Sequence, residues 1–405
     1  MPDIKYAQTE AVDKGSLKVE VLTNRTRRPI EGARITISYS GDPDSTVEEV
    51  SADDSGMSEK LTLDAPPLEY SMEPSENQPF AQYTVKVTAP GYRPVSISGV
   101  QVFSEQLALQ QVRMAEENEE ENQIDSIVIP VNTLFGNFPA KIAESEIKPV
   151  SDSGEIVLSK VVIPEFVVVH DGPPSDPNAA NYYVRYRDYI KNVASSEIYS
   201  TWPDSTLRAN ILAIMSFTLN RVYTEWYRNK GYNFTITTST AYDQKFVYGR
   251  NIFQSISDVV EEMFQNYLSR PNVRQPILTQ YCDGQRVTCS NWLSQWGSKY
   301  LGDQNYETIE ILRYYYGDNM FINTAEEISG IPASWPRYNL EVGAAGDKVR
   351  QIQEQLARIS QAYPAIPTIT PDGIYGEATR AAVDYRTWYK ISEIYVAVTR
   401  IAELV

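Results

Sequence analysis

The chain has 405 residues, 42% of them hydrophobic and 22% charged, proportions of a globular protein of two to four domains at the usual ~150 residues each. No apolar run approaches the ~18 residues that cross a bilayer, and a formal net charge of −17 repels nucleic-acid backbones and anionic lipid, so neither a membrane span nor a nucleic-acid partner is expected. A single histidine, His170, and two cysteines, Cys282 and Cys289, exclude multi-histidine and four-cysteine zinc sites and leave carboxylate chemistry as the default for any enzyme. Met1-Pro2-Asp3-Ile4-Lys5 lacks a basic start followed by an apolar core, so no secretory signal is expected.

From Gly15 to about Val112 short alternating strands are separated by turn residues. Leu17-Lys18-Val19-Glu20-Val21, Ala33-Arg34-Ile35-Thr36-Ile37 and Tyr83-Thr84-Val85-Lys86-Val87 each alternate, the last before the turn Pro90-Gly91-Tyr92. The pattern predicts a small β-sandwich over residues 1–115. The like-charged block from Glu116 to Gln123 cannot collapse on itself and reads as a linker. Scattered β-like pieces, Ile127-Val128-Ile129 and Ile156-Val157-Leu158, are separated by Pro, Ser and Asp, so residues 116–160 are expected to be an extended, cleavable connection.

Residues 161–336 change to a mixed α+β pattern. A helix is expected over Tyr186–Ile198. After Pro203, Asp204 or Ser205 is placed to cap a long helix with Leu207, Ile211, Ile214, Met215, Thr218, Val222 and Trp226 at helical spacing. Asn233 to Thr238 reads as a strand and Ile256 to Leu268 as a third helix. In residues 337–405, Val349, Ile352, Leu356 and Ile359 share one helical face, followed by the turn Asp372-Gly373-Ile374-Tyr375-Gly376 and a helix from about Glu377. That region reads as a small helical module.

Glu197 ends the first helix among small and aromatic residues, where partial desolvation lets a carboxyl hold a proton for a leaving oxygen. Trp292 and Trp296 stand beside Ser294 and Gln295, stacking planes next to hydrogen-bonding groups, a combination suited to sugar rings. Cys282 and Cys289, seven apart, suit either a loop disulfide or two buried thiols.

Val193-Ala194-Ser195-Ser196-Glu197-Ile198, Trp202-Pro203, Leu207-Arg208-Ala209-Asn210, Leu293-Ser294-Gln295-Trp296-Gly297-Ser298 and Ile309-Glu310-Ile311-Leu312-Arg313-Tyr314-Tyr315-Tyr316-Gly317 together resemble the stage II sporulation protein D family of peptidoglycan lytic transglycosylases. The resemblance extends over most of the chain to clostridial spore cortex-lytic enzymes of that family. It implies Glu197 as the catalytic acid, and Tyr281, Ser294, Gln295 and Trp296 as candidates to orient the glycan. Some family members carry His and Cys metal ligands near the equivalent of Thr238-Ser239-Thr240-Ala241-Tyr242; these positions hold none here, so no zinc or other cofactor is expected.

Two further resemblances complete the expected architecture. The front region resembles transthyretin-like sandwiches through Pro29-Ile30-Glu31-Gly32-Ala33 and Val85 to Tyr92. The tail resembles the type 1 peptidoglycan-binding module through Val342-Gly343, Ile352-Gln353, Asp372-Gly373-Ile374-Tyr375-Gly376 and Thr379. The implied partners are spore cortex peptidoglycan and an activating germination protease that cuts between about Ile124 and Val150, and the implied location is the cortex or coat region of the spore. The rival expectations are a hydrolytic muramidase and a non-enzymatic wall-binding spore protein. A cysteine peptidase built on Cys282 or Cys289 with His170 finds no support in the spacing.

Overall fold

Leu17, Val19 and Val21 alternate with polar residues, which puts every second side chain of β1 (Asp13–Thr23) on one buried face, because successive side chains of a strand point to opposite sides. The same period buries Ile35 and Ile37 of β2 (Arg34–Tyr39). The computed structural model describes residues 12–24, 26–118, 125–131, 133–148, 160–289, 291–329, 342–345, 347–362 and 367–387. The molecule is a mixed α and β chain that divides into two units, one of residues 1–162 and 166–326 and one of residues 163–165 and 327–405.

The first unit begins with a two-sheet sandwich. β3 (Asp42–Ser51), β4 (Leu61–Ala65), β5 (Phe80–Thr88), β6 (Val95–Phe103), β7 (Leu107–Met114) and β8 (Ser126–Val128) follow β2. One sheet runs β3-β2-β5-β6-β8; the other runs β7-β1-β4 and gains a fourth strand, Ile252–Phe253, from far downstream. Strand β6 faces β1, β4 and β7 across the core. Gly91, at φ +81°, makes the turn between β5 and β6 in the left-handed region that glycine adopts freely. Strand β3 is the edge and is exposed along nearly its whole length, with Asp42, Pro43, Asp44, Glu48 and Glu49 on it.

The stretch read from its composition as a loose connection takes up definite structure where it is described. Tyr92 bridges to Glu116, and β8 lies parallel to β6. Residues 133–148 then run over the later part of the unit, held through their backbone and through ion pairs of Glu144 and Glu146. Gln280 receives the Glu144 N–H at 3.0 Å and donates to the Ile142 carbonyl at 2.7 Å. Gln275 does the same for Lys148, at 2.6 and 3.1 Å. Residues 119–124 and 149–159, with the Ile156-Val157-Leu158 piece, lie outside the described residues.

Next come β9 (Val162–Ile163), β10 (Phe166–His170), β11 (Asn181–Arg185), α1 (Tyr186–Glu197), α2 (Asp204–Tyr223), β12 (Ile236–Thr237), β13 (Ile252–Phe253), α3 (Gln254–Met263) and β14 (Asn266–Ser269). They are followed by β15 (Tyr281–Cys282), β16 (Leu293–Ser294), α4 (Gln295–Asp303), α5 (Thr308–Tyr316), β17 (Phe321–Thr324) and β18 (Glu327–Ile328). Helix α2 is central and buries nearly every side chain, the polar Asn210, Ser216, Thr218, Asn220 and Arg221 included. Its start follows Pro203, but neither Asp204 nor Ser205 caps it: Pro203 is the capping residue, without a side-chain bond, and Asp204 accepts from Arg208 at 2.6 Å inside the first turn. Helix α3 stops at Met263 rather than continuing to Leu268, because β14 pairs with β17 from Asn266 onward. The Asn233–Thr238 strand shrinks to Ile236–Thr237 beside β10.

In the second unit α6 (Asp347–Ala362) and α7 (Glu377–Thr387) enclose Leu356, Ile369 and Ala382. Gln353 is buried between them and donates to Asp372, the Ile374 carbonyl and Thr379, while receiving the Gly373 N–H at 2.7 Å. The side chain of Ile359 and residues 388–405 lie outside the described residues.

Ile37 is fully buried in the sandwich, so Ile37→Ala should lower stability by roughly 2–5 kcal/mol, through lost transfer energy plus the cavity left behind. Denaturant titration of the full chain checks the value.

Candidate functional site

Helix α1 ends at Glu197 because Ile198 is extended, at φ −139° and ψ 160°, and the turn leaves the Glu197 side chain half-buried on the wall of a cavity of about 50 Å³. Its Oε1 accepts the Lys245 backbone N–H at 2.7 Å and the Tyr281 hydroxyl at 3.4 Å. The Gln295 amide donates to Oε2 at 3.2 Å and to the Glu197 carbonyl at 2.8 Å. Among the described residues Glu197 has no ion-pair partner within 4.0 Å.

Each of these donors is set by a different device. The Lys245 N–H is aimed by Asn192 of α1, which donates to the Val247 carbonyl at 2.8 Å and receives the Val247 N–H at 3.0 Å. Tyr281 lies on β15 and Gln295 opens α4 directly after β16; in that parallel pair Tyr281 faces Leu293 and Cys282 faces Ser294. Cys282 and Cys289 form a disulfide that closes the loop between those strands. Burial, together with the Glu197 charge, pushes the Tyr281 phenol well above its ordinary range, so it acts there as a neutral donor.

Of the residues singled out in the sequence, the fold brings Glu197, Tyr281 and Gln295 together at the cavity. Ser294 and Trp296 are not among its lining residues. Ser294 caps α4, accepting the Gly297 N–H at 2.9 Å. Trp296 packs with Trp202 and Tyr199 at ring separations of 5.0 and 5.8 Å and donates to the Leu134 carbonyl. His170 stacks on Phe234 at 4.3 Å and bonds Asn181.

Sequence reasoning missed the charged frame behind the site. Arg221 of α2 and Asp243 are both fully buried, and Arg221 Nε donates to Asp243 at 2.7 Å. The other oxygen of Asp243 accepts from Tyr227 at 2.6 Å and from the N–H and hydroxyl of Thr237. The remaining guanidinium nitrogens of Arg221 hold Glu144 at 2.6 and 2.9 Å, and Glu144 also pairs with Lys148. Lys141 donates to the Asp243 carbonyl at 2.7 Å and lies over the Tyr281 ring at 4.5 Å. Burial lowers its ammonium pKa, opposed by the charges of Glu197 and Asp243. Only proximity in space reveals this cluster, because Glu144 and Arg221 are 77 residues apart.

Leu134, Phe138, Pro139 and Lys141 supply one side of the cavity, which therefore holds a few waters at ~10–15 Å³ each and has no room for a disaccharide. Among the described residues no group of three His, Cys, Asp or Glu side chains is placed to hold a metal ion, and no helix is long and apolar enough to cross a membrane.

No protein-family model matches the chain and no curated protein matches it. Partial likenesses to solved structures include the TIE protein of Bacillus anthracis (18% identity, 26% of this chain and 17% of that one, TM-score 0.18). They also include the minor pilin GBS52 of Streptococcus agalactiae (11% identity, 28% and 48%, TM-score 0.19). A third is 5-hydroxyisourate hydrolase of Klebsiella pneumoniae (15% identity, 25% and 86%, TM-score 0.17). The chain spans 17% and 48% of the first two, and likenesses of this size carry no argument about function.

Burial alone would raise the Glu144 carboxyl, but Arg221 and Lys148 override it and hold it below its ordinary value. A depressed carboxylate stabilises the fold above its unfolded pKa and loses that contribution as pH falls through the folded one. Glu144→Gln should therefore flatten the acid limb of a melting-temperature profile below about pH 4.5. Asp243→Asn, which removes one of the two carboxylates that neutralise the buried Arg221, should cost roughly 3–5 kcal/mol at pH 7, measured by denaturant titration.

Proposed function

We propose that the protein is a peptidoglycan lytic transglycosylase that degrades spore cortex and is made as an inactive proenzyme. The observation that carries this reading is the Glu197 carboxyl, half-buried on a cavity wall and held by Lys245, Tyr281 and Gln295 without a counter-ion within 4.0 Å among the described residues. Its bonded partners there are all neutral donors. The reading rests as well on the resemblance of the middle region to the stage II sporulation protein D family, of the front to transthyretin-like sandwiches, and of the tail to peptidoglycan-binding modules.

In the proposed reaction Glu197 protonates the oxygen between N-acetylmuramic acid and N-acetylglucosamine, and the muramoyl C1–O bond breaks. The muramoyl C6 hydroxyl then bonds to C1, and its proton returns to Glu197. One carboxyl serves both steps because the nucleophile belongs to the substrate, so the second carboxylate of ordinary glycosidases is not needed. Oε1 is tethered at 2.7 Å, whereas Oε2 has only the longer Gln295 contact, and Oε2 is assigned the proton. Tyr281 and Gln295 orient the acid. The tail unit tethers the enzyme to its insoluble substrate and raises the local concentration of bonds.

The proenzyme reading is supported by the segment from Leu134 to Lys141, which fills one side of the cavity. A germination protease acting between about Ile124 and Val150 would free that side, and N-terminal sequencing of the active form locates the cut. Glu197→Gln, processed in the same way, should lose at least ~10³-fold of anhydro-muropeptide release from purified cortex while still sedimenting with it. Mass spectrometry of the products decides: reducing muramic ends would replace the assignment with a hydrolytic muramidase, and unchanged cortex with the wild-type protein would leave a wall-binding protein.

A further inference from the structure

Between the sandwich and the helical part of the first unit lies a polar seam. Gln101 of β6 and Asn251 exchange two hydrogen bonds: the Gln101 N–H donates to the Asn251 side chain at 2.9 Å and the Asn251 amide donates to the Gln101 carbonyl at 3.0 Å. Beside them Arg250 is only 7% exposed, and its one side-chain bond is from Nη2 to the Gln101 amide oxygen, at 2.6 Å. Its Nε and Nη1, and the Gln101 Nε2, have no hydrogen-bond partner among the described residues. The Gln110 side-chain oxygen of β7, whose nitrogen reaches the Gly249 carbonyl, is unsatisfied as well.

The other deeply buried arginine of the unit is treated in the opposite way. Arg221 is held by two carboxylates, whereas Arg250 forms no ion pair with any described carboxylate. Burial pushes the Arg250 guanidinium down to about 9. A buried cation that meets only an amide dipole is unfavourable, and water restores its solvation when the covering surface moves away.

We propose that Arg250 makes the seam metastable, a closed interface that gains hydration on opening, so that the sandwich is poised to lift from the helical layer. The contacts across it include the ring cluster of Phe103 with Tyr199 and Phe253, the bonds of Trp202 and Thr201 to Ser71, that of Ser255 to Gln106, the ion pairs of Arg27 with Asp188 and of Arg286 with Glu76, and the two residue pairs by which β13 joins β7. The inference is independent of the reaction assigned to Glu197, since it concerns the cohesion of the unit and not its chemistry.

The test is thermal unfolding of the full chain with amide hydrogen exchange. Arg250→Met keeps an unbranched apolar stem and removes the charge, and a second variant adds Gln101→Met so that no amide is stranded. A melting midpoint at least ~2 °C above wild type in either variant, with amide exchange at Leu109 and Phe253 slowed about tenfold, supports the proposal. Midpoints below wild type in both variants overturn it, because the arginine is then a net stabiliser. A wild-type midpoint that climbs in chloride but not in gluconate at equal ionic strength, with the response lost in Arg250→Met, overturns it too, because the cation then has a counter-ion.

Discussion

The pairing of Arg221 with Asp243 is the constraint on which the site depends. Neither side chain reaches solvent, and a charge buried so deeply persists only where its partners are geometrically fixed. Asp243 is accordingly saturated by Arg221, Tyr227 and Thr237. The loop that carries it is thereby bolted to α2, and two residues later the same loop offers the Lys245 N–H to Glu197. The position of the acid is thus inherited from an ion pair that never touches the cavity.

Arg221 also holds Glu144, so the segment over the cavity and the loop beneath it share one anchor. Glu144 and Asp243 use different nitrogens of that anchor, Glu144 the two terminal ones and Asp243 Nε. Gln275 and Gln280 hold the segment only by bonds to its backbone, which are individually modest and replaceable by water. The segment is thus held both by ion pairs, Glu144 with Arg221 and Glu146 with Arg270, and by amide bonds to its backbone.

How much of this was legible in the sequence follows from the range of each interaction. The sandwich strands could be read because burial on one face imposes a period of two, and Leu17, Ile35 and Val85 report it locally. The place of Glu197 at the end of α1 could be read because a helix end is a local feature. Gln295 and Trp296 looked equivalent on paper, yet adjacent positions at a helix start point about 100° apart, so one reaches Glu197 and the other the aromatic cluster. The segment from Leu134 to Lys148 looked loose because bonds from glutamine amides to a backbone leave no mark in hydropathy. The Arg221 cluster joins residues too distant in the chain for any periodic signal, and Arg250 resembles any other arginine until its surroundings are seen.

Strand β3 has a consequence for the molecule in company. An unpaired edge is a template on which another chain can add a strand. Asp42, Asp44, Glu48 and Glu49 would set carboxylate against carboxylate if two such edges approached, and Pro43 offers no N–H to the ladder. Like charge thus opposes the pairing of one β3 edge with another.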